Sequence, residues 1–298
     1  MSNQAARIGY SYQDKLALLK MLKSFCSKRL DEAYVEYPFN GGKSMDIYLI
    51  ERERKTAFEV KSGRTFQGQR SGEQLAKAIS NLYLFQEEIA EEVKCKIIIR
   101  PEAKVQINNH ISDIDHIKEF GKNGKNNSGE KGSVIAERWY EECSVFSSVD
   151  GFVSFIQEFF EFENGCEYGQ NFEKSDLDKK IISEINELSR SLGIEGSNII
   201  LTSEIIYFSL LEVVRKGGEN GENMVLPVIS KVGELLTSRK FIETFTSVGS
   251  GVSRDEELTK TKEKIREKII EKFNFSLNDV STSSDSLREI SENNSIQQ

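Results

Sequence analysis

Residues 95–100 (CKIIIR) form an unbroken apolar run between charged ends. Successive side chains of a strand point to opposite faces, so a run of this kind must be covered on both sides. The segment therefore calls for a sheet with helices above and below it. Three strand-like segments precede it. They are 33–39 (AYVEYPF), 45–51 (MDIYLIE) and 56–61 (TAFEVK), separated by Gly41-Gly42 and by the polar turn 52–55 (RERK). Residues 10–30 carry Leu16, Leu19, Leu22, Phe25 and Cys26 at spacings of three and four, which predicts a helix with Ser11 as its N-cap. A second amphipathic helix is predicted over Glu73–Val93, with Leu75, Ile79, Leu82, Phe85 and Ile89 on its apolar side. The order helix, three strands, helix, strand predicts an α/β fold with a mixed sheet and flanking helices.

Beyond that strand the signals weaken. Pro101–Gly132 reads as irregular and polar, and Gly121–Gly132 (GKNGKNNSGEKG) as a mobile loop. From Val149 onward the periodicity is helical, over about 149–161, 174–191, 201–216, 224–239 and 256–273, with Gly217-Gly218 as one separating turn. Ser276–Gln298 is rich in Ser, Asn, Asp and Glu and is expected to be disordered. The expected organisation is a domain over 1–132, a mainly α-helical region over 133–275 and a tail over 276–298.

Composition narrows the chemistry. The four cysteines are scattered and the two histidines, His110 and His116, lie apart from them, so neither a zinc site nor a disulfide framework is expected. No apolar run is long enough to span a bilayer and the N-terminus lacks a signal-peptide stretch, which points to a cytoplasmic protein with no membrane partner. The net charge of −8 does not exclude nucleic acid, because surface charges are screened beyond about 10 Å and a basic patch can act locally. It does confine such binding to a cleft, with help from a partner or an oligomer.

The candidate chemistry lies in Asp46, Glu59 and Lys61. Glu59 and Lys61 are two apart in a strand and share a face. A turn centred near Arg52–Glu53 pairs position 46 with 59 or 60, and a one-residue shift would move Asp46 to the other face. Two carboxylates suit Mg²⁺, with Mn²⁺ able to substitute, because this ion takes oxygen ligands and keeps waters for a substrate phosphate. A lysine beside them can orient or deprotonate water, or meet charge developing on a phosphorane. Glu-x-Lys alone occurs by chance in any charged chain. Here it ends an apolar strand, follows an Asp in the preceding strand, and sits in the element order above.

With its context the pattern resembles the PD-(D/E)XK nuclease superfamily. The opening Gly9-Tyr10-Ser11-Tyr12-Gln13, an apolar helix, Asp46, and then Glu59-Val60-Lys61-Ser62 are similar to one branch of it. That branch holds the N-terminal nuclease domains of bacterial anti-phage effectors of CBASS and Lamassu type. The resemblance spans about residues 7–100 and implies a restriction-endonuclease-like sheet. It also implies metal-dependent cleavage of double-stranded DNA, with Asp46 and Glu59 as metal ligands, Lys61 as the catalytic lysine and Gln13 as a helix residue facing the site. The Lamassu-type branch further implies an SMC-like ATPase partner. No second-messenger-sensing domain is recognisable past residue 100.

Other residues carry two readings. Glu36 is a candidate third carboxylate or an outward strand residue. Gln13 either meets the site or steadies the first helical turn. Arg64, Gln67, Gln69 and Arg70 are candidate DNA contacts or a solvated loop. Gln74 and Tyr83 lie on the second helix, with Tyr83 read as core, and the histidines are read as surface residues. The charged stretch Lys260–Lys272 reads as a solvated helix with one docking face. Two rival functions share the motif: an RNA-cleaving nuclease, and a non-catalytic adaptor with a nuclease fold.

Overall fold

The computed structural model describes residues 3–27, 29–61, 71–122, 129–167, 175–191 and 199–237, and five helical positions between 260 and 268. In chain order they form α1 (Asn3–Cys26), β1 (Leu30–Phe39), β2 (Lys43–Glu51), β3 (Arg54–Lys61), α2 (Ser71–Ile89), β4 (Val93–Ile99), α3 (Pro101–Lys122), α4 (Gly129–Cys143), α5 (Val149–Glu158), β5 (Phe160–Asn164), α6 (Asp176–Ser191), α7 (Ile199–Asn220) and α8 (Val225–Thr237). The strands make one mixed sheet in the order β1-β2-β3-β4-β5. The first three pair antiparallel, and β3, β4 and β5 run parallel. Among the described residues no helix is long and apolar enough to cross a membrane.

The apolar run falls on β4, an interior strand, and Ile97, Ile98 and Ile99 are all buried. Ile98 joins Leu16, Leu19, Leu22 and Phe25 of α1, together with α6, α7 and α8, on one face of the sheet. Ile97 and Ile99 join α2, α3, α4 and α5 on the other. A strand buried on both sides needs consecutive apolar side chains, which the Ile97–Ile99 end of β4 provides, while Lys94 and Lys96 at its other end are only half-buried.

Several expectations are corrected. The stretch after β4 is the helix α3, not irregular chain. Pro101 sits at its first position, where the missing N–H costs nothing, and Ala103, Ile107, Ile114 and Ile117 are buried at near-helical spacing. Charged and amide residues between them conceal the stripe. Of the glycine-rich segment 121–132, the ends belong to α3 and α4, and 123–128 lies outside the described residues. The helix expected over 149–161 stops at Glu158, and Phe160–Asn164 pairs with β4 as a further strand. Its Phe-Glu-Phe-Glu alternation has the strand period.

Helix α1 begins at Asn3, so Ser11 is interior rather than an N-cap. Gly217-Gly218 lies inside α7, not in a turn. A Cβ at 217 would collide with the Met224 sulfur, and one at 218 would come 3.2 Å from Val35, so these glycines let α7 press against α8 and β1. The turn itself uses Gly221, at φ +65. Of the stretch 256–273, the five described residues are helical, while the 276–298 tail lies outside the described residues.

The two ends of the described core are tied together at Gly165. Its N–H donates to the Ile99 carbonyl at 2.7 Å. The Tyr12 hydroxyl then donates to the Cys166 carbonyl (3.1 Å) and accepts from the Cys166 N–H (3.2 Å). A Cβ at Gly165 would clash with that hydroxyl and lie 2.9 Å from the Ile99 oxygen. Gly165→Ala is therefore expected to destabilise the protein by about 1–3 kcal/mol, the usual cost of overpacking, read as a lower urea midpoint at unchanged m-value.

Candidate active site

The site forms where the β2–β3 ladder gives out, while β1 and β2 remain paired beyond it. The β2–β3 ladder runs from Glu51↔Arg54 to Ile47↔Phe58, so Asp46 falls opposite Glu59. Instead of extending the ladder, the Asp46 Oδ2 accepts the Val60 N–H at 2.6 Å. On the other side, Val35↔Ile47 and Tyr37↔Met45 pair, which sets Glu36 across from Asp46. Glu36 has φ 53, a left-handed conformation that a residue with a Cβ adopts at a cost of about 1–2 kcal/mol. The two strands change face at this level. Val35 and Ile47 pack on the α1 side, whereas Tyr37 and Met45 pack on the α2 side.

Side chains reach this point from β3, α2, α1 and β2. Lys61 donates to Glu59 Oε2 from the same strand, and Glu59 is almost fully buried. From α2, Asn81 Nδ2 donates to Glu59 Oε1 at 3.2 Å. From α1, Gln13 Nε2 donates to Glu36 Oε1 (2.5 Å) and to the Asp46 carbonyl (3.2 Å), and the Ser44 hydroxyl donates to Glu36 Oε2 (2.5 Å). Gln13 thus faces the carboxylates, and Glu36 turns toward them rather than outward.

The charges explain the electrostatics. Burial is the largest influence on Asp46 and raises its pKa well above the usual carboxylate range. Glu59 raises it further, Lys61 and the Val60 amide lower it without cancelling these effects, and Glu36 adds to the rise. For Lys61, burial alone would lower the pKa, but Glu59 and then Asp46 hold it above its ordinary value. Asp14, next to Gln13 on α1, is pushed up to about 6 by burial and then by Glu36, with Arg215 opposing and Glu219 adding.

Asn81, Ser44 and Asp14 were not singled out from the sequence. Asn81 had a signal: it interrupts the stripe of Ala78, Leu82 and Phe85 on α2, where an amide needs a reason. Ser44 and Asp14 had none. Gln74 is half-buried on α2. Tyr83 stacks on Phe146 at 4.0 Å between ring centroids and belongs to the core of that face. His110 and His116 lie on α3, where His110 meets Ser71 at 3.0 Å and Trp139 edge-on. Arg64, Gln67, Gln69 and Arg70 lie outside the described residues.

The donor set tests what the site can hold. Asp46, Glu59 and Glu36 set three carboxylates against one lysine, an excess of negative charge that a divalent cation would offset. Glu36 is already engaged by Gln13 and Ser44, and among the described residues no three His, Cys, Asp or Glu side chains group closely enough to hold a metal. Both Glu59 oxygens and Asp46 Oδ2 are likewise engaged, by Lys61, Asn81 and the Val60 amide, so a hard oxygen-seeking cation such as Mg²⁺ would have to displace Lys61 or Asn81 to use Glu59. These residues do not form a closed protein cage.

No protein-family model and no curated protein matches the chain. Among solved structures it is similar to the Cap4 SAVED/CARF-domain containing receptor of Moraxella osloensis, at 12% identity and a TM-score of 0.46. The match covers 93% of this chain and 62% of that one, so the chain spans less than two thirds of its length.

The Asp46 environment has a consequence for stability. Its folded-state pKa lies above the ordinary value of about 3.9, so folding favours the neutral carboxyl. That contribution is complete below pH ~4 and is lost as the pH rises through the folded-state value. Asn at this position is neutral at every pH and can still accept from Val60. In EDTA, Asp46→Asn should be more stable than the parent at pH 9 by more than about 1.4 kcal/mol, the equivalent of a tenfold change in proton affinity. The two should converge near pH 4. Urea unfolding at both pH values measures this, and equal stability at pH 9 would contradict it.

Proposed function

We propose that the chain is a metal-dependent DNA endonuclease with a restriction-endonuclease-like core, serving as the nuclease subunit of a bacterial anti-phage or anti-plasmid system. The observation that carries the reading is the meeting of Asp46, Glu59 and Lys61 at the end of the β2–β3 hairpin, in the order in which the PD-(D/E)XK motif would use them. The defence context comes from the sequence resemblance alone.

In this reading Asp46 and Glu59 hold the ion. Bound Mg²⁺ supplies polarisation of a phosphoryl oxygen and a more acidic water. Lys61, held charged by its carboxylate neighbours, turns its ammonium from Glu59 toward the attacking water or the phosphorane oxygens. Asn81 keeps Glu59 in place when Lys61 leaves it. Gln13 fixes the Asp46 backbone and keeps Glu36 from approaching as a third uncompensated charge. An acidic protein gains little non-specific affinity for DNA from one cleft, so assembly with itself or with a partner such as an SMC-like ATPase would add phosphate contacts and control.

The test is plasmid cleavage with Mg²⁺ or Mn²⁺, and with EDTA. Asp46→Ala and Glu59→Ala should each abolish cutting, and the double variant should be little worse than either. Lys61→Ala should lose cutting yet keep Mn²⁺ binding by calorimetry. Single variants that cut at the parental rate would overturn the assignment. Cleavage of RNA but not DNA would favour the rival substrate, and Mn²⁺ binding without cleavage of either would favour an adaptor.

A further inference from the structure

The parallel strands β3, β4 and β5 end side by side at the level of the site. Lys61 pairs with Ile99, and Ile99 with Asn164, so the last residues of the three strands lie in a row. At about 4.8 Å between neighbouring strands, the row is about 10 Å wide. Arg100 follows directly on β4. Its N–H donates to the Lys61 carbonyl at 3.4 Å, and its guanidinium lies 5.3 Å from the centre of the Tyr12 ring. Lys104, in the first turn of α3, reaches the end of β5 and donates to Asn164 Oδ1 at 3.0 Å. A half-buried arginine and a half-buried lysine thus stand beyond Lys61 along the row.

The two sides of the site differ in charge. Toward β1, Asp14, Glu36 and Glu219 act on one another with Arg215 as the cation among them, three carboxylates against one guanidinium. Toward β5, the carboxylates of Glu161 and Glu163 are taken up by Lys96 and Lys20. Among the described residues, Arg100 and Lys104 add two positive charges to that balanced set. A cleft of about 270 Å³ opens next to Lys104, between α3 and β5, and Lys118 and Asp115 line it with one charge of each sign.

A polyanion entering the site is repelled on the first side and attracted on the second. Crevices outside the carboxyl ends of parallel strands are where open α/β sheets bind ligands. One strand of B-form DNA presents a phosphate about every 3.4 Å along the helix axis, so a row about 10 Å wide faces about three of them. We propose that Arg100 and Lys104 are phosphate contacts, and that a DNA duplex crosses the site over the ends of β4 and β5 rather than toward β1. This rests on the nuclease reading above for its substrate, but not on a bound cation. Contacts of this kind position the duplex, carry no sequence preference and make affinity depend on salt.

The test is fluorescence anisotropy of a labelled DNA duplex with the full-length chain in EDTA, between about 50 and 200 mM salt. EDTA prevents cleavage and removes any bound cation. Arg100→Gln and Lys104→Gln should each weaken binding equally for duplexes of different sequence, and reduce the slope of log K against log salt by about 1. Lys104→Arg should restore the parental slope, and Arg215→Gln, on the β1 side, should leave it unchanged. A merely structural role would lower the melting temperature without changing the slope. A parent that does not bind duplex DNA overturns the DNA-nuclease reading and this inference with it. A parent that binds, beside a folded Lys104→Gln of unchanged slope, overturns the inference alone. Arg100 packs on Tyr12, so Lys104 decides the matter if Arg100→Gln does not fold. A slope reduced in Arg215→Gln instead would place the duplex toward β1 and overturn the inference equally.

Discussion

The Val60 amide is the point at which β3 stops bonding to the backbone of β2 and bonds to a side chain, the Asp46 carboxylate at 2.6 Å. A regular ladder would have given that donor a carbonyl and left Asp46 to point wherever the pleat sent it. The exchange pins a carboxyl group within a strand interior, beside Glu59 and opposite Glu36. A hydrogen bond of this kind contributes about 0.5–1.5 kcal/mol net, comparable to the backbone pair it replaces. The face change of β1 and β2 at this level follows, since neither strand can keep its alternation through a residue that has left the ladder.

A carboxylate placed there needs compensation, and the surrounding elements supply it unevenly. Lys61 answers one charge, Asn81 and Gln13 offer neutral donors, and Ser44 helps to satisfy Glu36. Removing one partner of a buried pair leaves an uncompensated charge at a cost of about 3–5 kcal/mol. The arrangement is therefore held tightly in the absence of a ligand. Burial first, and the neighbouring carboxylates after it, raise the pKa of Asp46 and, at a remove, of Asp14.

What the sequence made legible was whatever one segment decides by itself. The CKIIIR run had to be an interior strand, the alternation of 33–39 and 45–51 had to make a hairpin, and the Leu and Phe spacing of α1 had to make a helix. The pairing of 46 with 59 or 60 was readable because a short turn fixes register. Hidden features depend on distant partners. Helix α3 has an apolar stripe diluted by surface charge, β5 is only five residues long and adjoins a helix, and Gly217-Gly218 resembles a turn until Met224 and Val35 are seen against it. The left-handed Glu36 could not be read at all, because nothing in AYVEYPF marks a change of face; its hydrogen-bond partners lie on α1 and β2.

The acidity of the chain takes on a different meaning at such a site. A net charge of −8 and a cluster of carboxylates repel a polyanion, so in the proposed reading nucleic acid and cation cannot bind independently. Each neutralises what the other must approach, and by linkage whatever strengthens one strengthens the other to the same degree. A proton on Asp46 competes for the same charge deficit, which ties metal affinity to pH through the group whose pKa is most displaced. The C-terminal helices meet this balance at Glu36, through β1, and also through Arg215 and Glu219 beside Asp14.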